Sequence, residues 1–354
     1  MRMKRKLLVA IPLLILVVIA AWIVRPKHEY IGEAYVSTRS TALLSSVAQV
    51  RQEIGELHYG ERVEMMAKRN EFVKVKTGAG LVGWVDAHQI MDPQLWQRSI
   101  ALLKKAQDLP MQARGRTKVA TNLRVEPGRT EARLYQFGRG IPVEVVGRAT
   151  ADWTQVSDEK ENSSPEETKK EDWFLVRGVA TRAPGETTGR TGAPIPSTTT
   201  VPGDGSAPVA GWVVARFLEL DEPDAVREGA SSANVRPVAW FELNRVPDES
   251  GEKSQYLLAA TRGPEGQACD FINLRVFTWN KKKTRYETAF IENNLCGALP
   301  IRIDAGPKGE PEFKFKLMDG GKEERTYRLI QTVVRRVREP ETGAKLKSGG
   351  KKSR

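Results

Sequence analysis

Histidine and cysteine are nearly absent from this chain. Among 354 residues the histidines are His28, His58 and His88, and the cysteines are Cys269 and Cys296. A Cys–His nucleophile pair needs a base within reach of the thiol, yet no histidine follows residue 88 and both cysteines lie far beyond it. The same shortage weighs against a catalytic zinc site, which usually takes several histidine ligands. No phosphate-binding glycine loop is present. Ser157–Lys160, Ser250–Lys253 and Ser348–Lys351 have the spacing of a Ser–Lys hydrolase, but all three stand in polar surroundings with nothing to desolvate the lysine. Aspartate and glutamate are plentiful, so a carboxylate-only glycosidase stays open, although no pair stands in an apolar setting. No cofactor or metal is expected.

Long apolar runs are scarce as well, with one exception. Leu7 to Val24 reads LLVAIPLLILVVIAAWIV without a charge. As a helix it would span about 27 Å, close to the hydrocarbon thickness of a bilayer. Arg2, Lys4, Arg5 and Lys6 precede it, which favours a cytoplasmic N-terminus and an exported remainder. A cleaved signal peptide is the competing reading, but its apolar region would be shorter and would end in a small-x-small site. This one ends in Trp22-Ile23-Val24. The net charge of +12 is concentrated at the two ends: the N-terminal cluster and residues 335–354 hold ten of the excess positive charges. The intervening chain is therefore close to neutral, and no nucleic-acid partner is expected. The basic tail, 339–354, suits a solvated end or a contact with an anionic polymer.

Downstream, β-type patterns dominate. In the region 30–92, Arg62–Met66 and Phe72–Lys76 alternate as half-buried strands do. Turns are marked at Tyr59-Gly60 and Thr77–Gly80, and Gly83-Trp84-Val85 closes the stretch. Residues 93–113 are expected to be a helical linker, with Asp92 and Pro93 at its start and Leu95, Trp96, Ile100, Leu103 and Ala106 at helical spacing. The first pattern then recurs over 116–222. Val119–Val125 opens it, Phe137–Gly140 replaces the glycine turn, Trp173–Arg177 parallels Phe72–Lys76, and Gly211-Trp212-Val213 parallels Gly83-Trp84-Val85. Two insertions, 157–172 and 181–210, are too polar to offset their ordering entropy and are expected to be disordered loops. Residues 234–338 carry a further series of strand patterns, expected as an antiparallel β-domain, closed or sandwiched.

The two copies resemble bacterial SH3 domains. The second carries the fuller match, with Thr121-Asn122-Leu123-Arg124-Val125-Glu126-Pro127-Gly128 similar to the family's opening segment. The first copy has only Val36-Ser37-Thr38-Arg39 there. The resemblance covers about half of the chain and leaves 234–338 unassigned. It implies two small SH3-like β-barrels that bind peptidoglycan or a protein or peptide partner. On physical grounds, Gly83 and Gly211 suit a close approach of backbones, and Trp84 and Trp212 are expected in the barrel cores. Tyr35, Tyr59, Asn122 and Arg124 are the candidates for a ligand surface. Modules of this kind often accompany an NlpC-type peptidase, whose Cys–His pair is not evident here.

Cys269 and Cys296 are expected to form a disulfide, since both lie in one exported region; two buried free thiols are the alternative. Such a link would contribute about 3–4 kcal/mol on the chain-entropy model. The expectation is thus a mainly β protein of the bacterial inner membrane. It has an N-terminal transmembrane helix (1–28), two SH3-like β-barrels joined by a helix, and a C-terminal antiparallel β-domain. It is expected to be non-catalytic and to bind cell-wall polymer or an envelope protein. A pure assembly scaffold, or a hydrolase with an unrecognised C-terminal catalytic domain, are the alternatives.

Overall fold

The computed structural model describes residues 30–153, 169–180, 206–318 and 324–337. The expected anchor, the basic tail 339–354 and most of the two insertions lie outside them. Among the described residues no helix is long and apolar enough to cross a membrane. The chain is mainly β, and its ladders are antiparallel.

Two seven-stranded sheets repeat one topology. The first is built from β1 (Gly32–Val36), β2 (Ser40–Leu44), β3 (Glu53–His58), β4 (Arg62–Arg69), β5 (Phe72–Thr77), β6 (Val82–Asp86) and β7 (Ile90–Met91), ordered β3-β2-β6-β5-β4-β1-β7. The second uses β8 (Ala113–Thr117), β9 (Thr121–Arg124), β10 (Arg133–Phe137), β11 (Pro142–Trp153), β12 (Lys169–Ala180), β13 (Ala207–Val214) and β14 (Leu218–Leu220), ordered β10-β9-β13-β12-β11-β8-β14. Strand for strand the orders coincide, and a 3₁₀ turn precedes the last strand in each, at Ala87–Gln89 and Ala215–Phe217. Both ladders are open at their edge strands, so the hydrogen bonding does not form the closed barrels expected from the sequence.

The repeat is physical at its glycines. Gly60 and Gly140 both have positive φ, 79° and 76°, and both donate to the last residue of the opening strand, Val36 O and Thr117 O. Gly83 and Gly211 sit where β6 and β13 cross β2 and β9. A Cβ on Gly83 would lie 2.6 Å from Leu43 Cγ, and one on Gly211 would lie 2.6 Å from Leu123 Cβ. The close approach expected at these two glycines is thus present.

The tryptophans beside them are not core residues. Along β6, Gly83 and Val85 face inward, so the alternation turns Trp84 to the other face, half-buried. Trp212, likewise half-buried beside inward Val213, packs against a cluster of Val146, Leu175, Ala210 and Ala106 of helix α1 (Pro93–Asp108). The fully buried tryptophan of this region is Trp173. The helix stops at Asp108 and not at 113, because Ala113–Thr117 is strand β8.

The insertions are also shorter than expected. Lys169–Asp172 belongs to β12, paired with β11 as far as Trp153↔Lys169, and Ala207–Ala210 belongs to β13. Glu171 and Asp172 are buried, since arginines distant in sequence close on them. These two carboxylates, expected in a solvated loop, are instead the ends of ion pairs.

Beyond a short helix, α2 (Asp224–Ser232), the C-terminal region forms two four-stranded meanders. One is β15 (Arg236–Val246), β16 (Lys253–Thr261), β17 (Asn273–Asn280) and β18 (Arg285–Glu292). The other is β19 (Gly297–Ala305), β20 (Pro311–Leu317), β21 (Glu324–Ile330) and β22 (Val333–Val337). Leu257, Phe271, Leu274 and Val276 from the first side meet Ile301, Phe313, Phe315, Tyr327 and Leu329 of the second in one core, so the region is a sandwich. Helix α2 covers the other face of the first sheet through Val226 and Ala230 against Leu258, Ala260 and Phe277. Gln331, with φ of 55°, stands in the tight turn between β21 and β22. Cys269 and Cys296 are joined in a disulfide, as expected.

Of the described residues, those from 94 onward cluster as a single compact unit, and residues 30–93 as another. Within the former, the C-terminal sandwich and the second sheet share buried polar contacts. The Arg148 side chain, 1% exposed, donates from Nη2 to Asp172 Oδ1 (2.5 Å) and Gln267 O (3.0 Å) and from Nη1 to Cys269 O (3.0 Å). Gln112 uses its carboxamide as a strand would use a peptide group. Its Oε1 accepts from Ile301 N (2.8 Å) and its Nε2 donates to Ile301 O (3.1 Å).

Candidate functional site

The sequence-predicted ligand residues fall into two places. Tyr35 (β1) and Tyr59 (the turn after β3) are half-buried beside the first sheet's glycine turn, where Gly60 N donates to Val36 O and Tyr59 N to Arg39 O. Asn122 and Arg124 share one face of β9. Arg124 is drawn inward, donating to Glu131 O, and burial followed by the nearby Arg133 pulls its pKa below the usual arginine range. The Asn122 Oδ1 is buried without a hydrogen-bond partner. None of the four lines the principal cleft of this half of the molecule.

That cleft, of about 500 Å³, lies between α1 and the second sheet. Its wall includes the start of β11, where Pro142 has no N–H to give to the ladder. Strand β11 pairs with β12 only as far as Glu144↔Arg177, while Pro142 and Val143 pair with β8. The continuation of β12, Gly178 and Val179, pairs with β13 on one side, at Val209 and Pro208. On its other side the β11 backbone stays near, since a Cβ on Gly178 would lie 3.3 Å from Pro142 O. Leu103, Pro142, Val143, Val179 and Pro208 make the lining mostly apolar. Val179 is 42% exposed there, which is unusual for a valine in a strand.

Charged groups rim the opening and are held in place. Arg177 bonds Glu144 Oε2 through Nε (2.7 Å), and its Nη1 donates to the carbonyls of Ala106, Gln107 and Leu109 at 2.9, 3.2 and 3.1 Å. These are end-of-helix carbonyls that α1 cannot satisfy itself. One guanidinium therefore caps α1, ties it to β12 and fixes one wall. Opposite, Asp221 is bonded by Arg116 Nη2 (2.7 Å) and leaves Arg114 at the rim. The arrangement offers an apolar floor and both signs of charge at its rim, which suits an extended peptide segment.

A second cluster lies on the same sheet. Buried Glu171 takes a two-pronged bond from Arg129 (2.8 and 2.9 Å) and a contact from Arg216 (2.9 Å), and both guanidinium groups lie over Trp153, at 4.7 and 5.5 Å from its ring centre. Arg216 also reaches Glu265 (3.3 Å). Its charges are mutually balanced, so it is a brace and not an empty binding site. Nothing in the sequence marked either the cleft or this brace, because both are assembled from residues far apart along the chain. Among the described residues, no group of three or more His, Cys, Asp or Glu side chains is placed to hold a metal ion.

No protein-family model matches the sequence, and no curated protein matches it. Among solved structures, NlpC2 of Trichomonas vaginalis aligns over 86% of this chain and 97% of its own, at 9% identity and a TM-score of 0.16. NlpC1 of the same organism aligns over 88% and 94%, at 11% identity and a TM-score of 0.17. Superpositions this loose carry no argument about fold or chemistry.

Proposed function

We propose that this protein is a non-catalytic, membrane-anchored binding protein of the bacterial envelope, and that its SH3-like second module holds an extended peptide-bearing partner in the cleft beside α1. The supporting observation is the apolar cleft beside α1, with Leu103 and exposed Val179 on its floor and the rim fixed by Arg177. An extended chain lying there would rest alternate side chains on Leu103, Val143 and Val179, with its charged groups on the rim. The stem peptides of peptidoglycan and a segment of an envelope protein both have that chemistry.

The test uses the full chain and Val179→Asp, a change at an exposed position of the cleft. Wild type is expected to co-sediment with sacculi at low salt or to give discrete protein adducts on cross-linking in whole cells, and the outcome distinguishes the two sources. Val179→Asp should weaken whichever is seen about tenfold, since one desolvated anchor is commonly worth ~1.4 kcal/mol or more. Binding unchanged by Val179→Asp, or no association of either kind, would overturn the proposal.

A further inference from the structure

The C-terminal sandwich carries a second concave site of different character. It occupies about 310 Å³ at one end of the first meander and is lined by Val235, Arg262, Ile272, Asn273, Arg275, Asn293 and Asn294. Two arginines and three asparagines therefore share a small pocket that no carboxylate lines.

The charge is not neutralised from nearby. Neither Arg262 nor Arg275 takes part in an ion pair among the described residues. Arg262 Nη2 bonds Ala233 O (2.9 Å), and Arg275 Nε bonds Asn273 Oδ1 (2.9 Å). Glu292 is the acid closest along the chain, but it pairs with Leu274 in register and so projects to the opposite face. There it meets Arg325 at 2.9 Å. Glu228 of α2 lines a neighbouring groove with Arg275 yet forms no ion pair with it. Burial, then repulsion from Arg262, draws the Arg275 pKa below the usual arginine range, as expected for a cation without a counter-charge.

The donors are also oriented. Asn273, buried, accepts from Arg275 Nε and donates through Nδ2 to Asn293 Oδ1 and towards Glu292 O. This relay occupies the inner atoms of Arg275 and Asn293 and leaves the two terminal guanidinium nitrogens and the Asn293 amide NH₂ as outward donors. A guanidinium fork suits a carboxylate or phosphate. The loops that bear these residues are tied together at their base: the Cys269–Cys296 disulfide joins the 262–272 segment to the 293–296 turn. Such a link holds the site in shape before a ligand arrives.

We infer that this pocket is a binding site for a small hydroxylated anion, an acidic sugar, with its oxyanion on Arg275 and Arg262 and its hydroxyls on the asparagine amides. A bare oxyanion would leave most of the volume empty. The Asn293 NH₂ and the Asn294 amide can meet neighbouring hydroxyls, and Val235 and Ile272 supply the apolar wall on which a sugar face rests. The volume lies at the low end for ligand pockets, which fits one sugar unit.

Titration calorimetry on the full chain, with glucuronate, glucose and inorganic phosphate as probes, tests this. Glucuronate is expected to bind saturably, at least about tenfold tighter than glucose or phosphate, and more weakly as salt is raised. Arg275→Leu and Asn293→Ala should each lower that affinity about tenfold or more, and Arg245→Ala, remote from the pocket, should not. Asn293 is exposed in a turn, so its variant answers even if Arg275→Leu fails to fold. Reduction of the disulfide should weaken binding in the same direction. Equal affinity for glucose, phosphate binding as tightly as glucuronate, no saturable binding at millimolar ligand, or affinity unmoved by Asn293→Ala would each overturn the inference.

Discussion

Arg148 shows how a residue can be named in a sequence and still not be understood from it. It falls in a strand pattern, Arg148-Ala149-Thr150, where a long cation would be assigned to solvent. In the fold it is buried, with Asp172 at 2.5 Å, Asp270 at 3.4 Å and two carbonyls around it, and its Nε has no partner. A buried cation of this kind is revealed by its partners, and those lie 24 to 122 residues away. The same holds for Glu171, whose arginines come from a loop and a 3₁₀ turn. Removing one member of a buried pair costs about 3–5 kcal/mol, because the other is left uncompensated. Arg148→Met should therefore lose about that much stability at neutral pH in urea denaturation. The pH dependence follows from Asp270, whose carboxyl is held above its usual range chiefly by burial, against the pull of the Leu299 N–H and Arg148. A carboxyl raised in the folded state favours folding below its ordinary pKa and disfavours it as pH rises through the raised value. Without Arg148 that pKa rises further, so the deficit of Arg148→Met relative to wild type should shrink as pH is lowered towards about 4. A deficit independent of pH would show that Arg148 acts only through its carbonyl contacts.

At the scale of elements, what the sequence made legible was the mainly β character, the strand runs with large alternating side chains, and the helix at Pro93. The disulfide was legible too. Strand β8 was not, since Ala113, Gly115 and Thr117 bury small side chains between exposed arginines and give no apolar alternation. Helix α2 was hidden by the same smallness: Gly229 is required because a Cβ there would stand 2.3 Å from the Phe277 ring, and its neighbours Ala230 and Ser231 read as a linker. Size alone places the tryptophans of β6 and β13 in the barrel cores, whereas the glycine before each already fixes which side faces in. That assignment can be tested at the glycines themselves. Gly211→Ala places a Cβ 2.6 Å from Leu123 Cβ, against a strand that cannot yield freely, and should cost about 1–3 kcal/mol. Gly138→Ala, with nothing within 4 Å of the added carbon, is the matched control and should change stability little. Equal midpoints for the two variants in chemical denaturation would mean that β13 and β9 do not cross so closely.

On the scale of the molecule, the strand series from 234 onward suggests a domain of its own. Buried bonds nevertheless join that region to the second sheet. Gln112, fully buried, bonds both backbone groups of Ile301 through its side chain and accepts from Trp240 N through its carbonyl (2.9 Å), while its own N–H goes to Val145 O. Gly266 N adds a bond to Asp172 Oδ1 (2.8 Å). These are backbone and carboxylate groups inside the unit that water cannot reach, and each unmade bond would cost about 1–3 kcal/mol. Several such losses together approach the whole stability of an ordinary domain, about 5–15 kcal/mol. A fragment of residues 94–354 should therefore unfold in one cooperative calorimetric transition with equal van't Hoff and calorimetric enthalpies. A fragment of residues 234–354, deprived of Gln112, Arg148 and Asp172, should show no such transition and should lose the slow amide exchange expected of Leu274 and Val276 in its core. If the shorter fragment melted cooperatively at the same temperature as the longer one, the shared buried bonds would be incidental. The sandwich would then be a self-sufficient domain, as its sequence alone suggests.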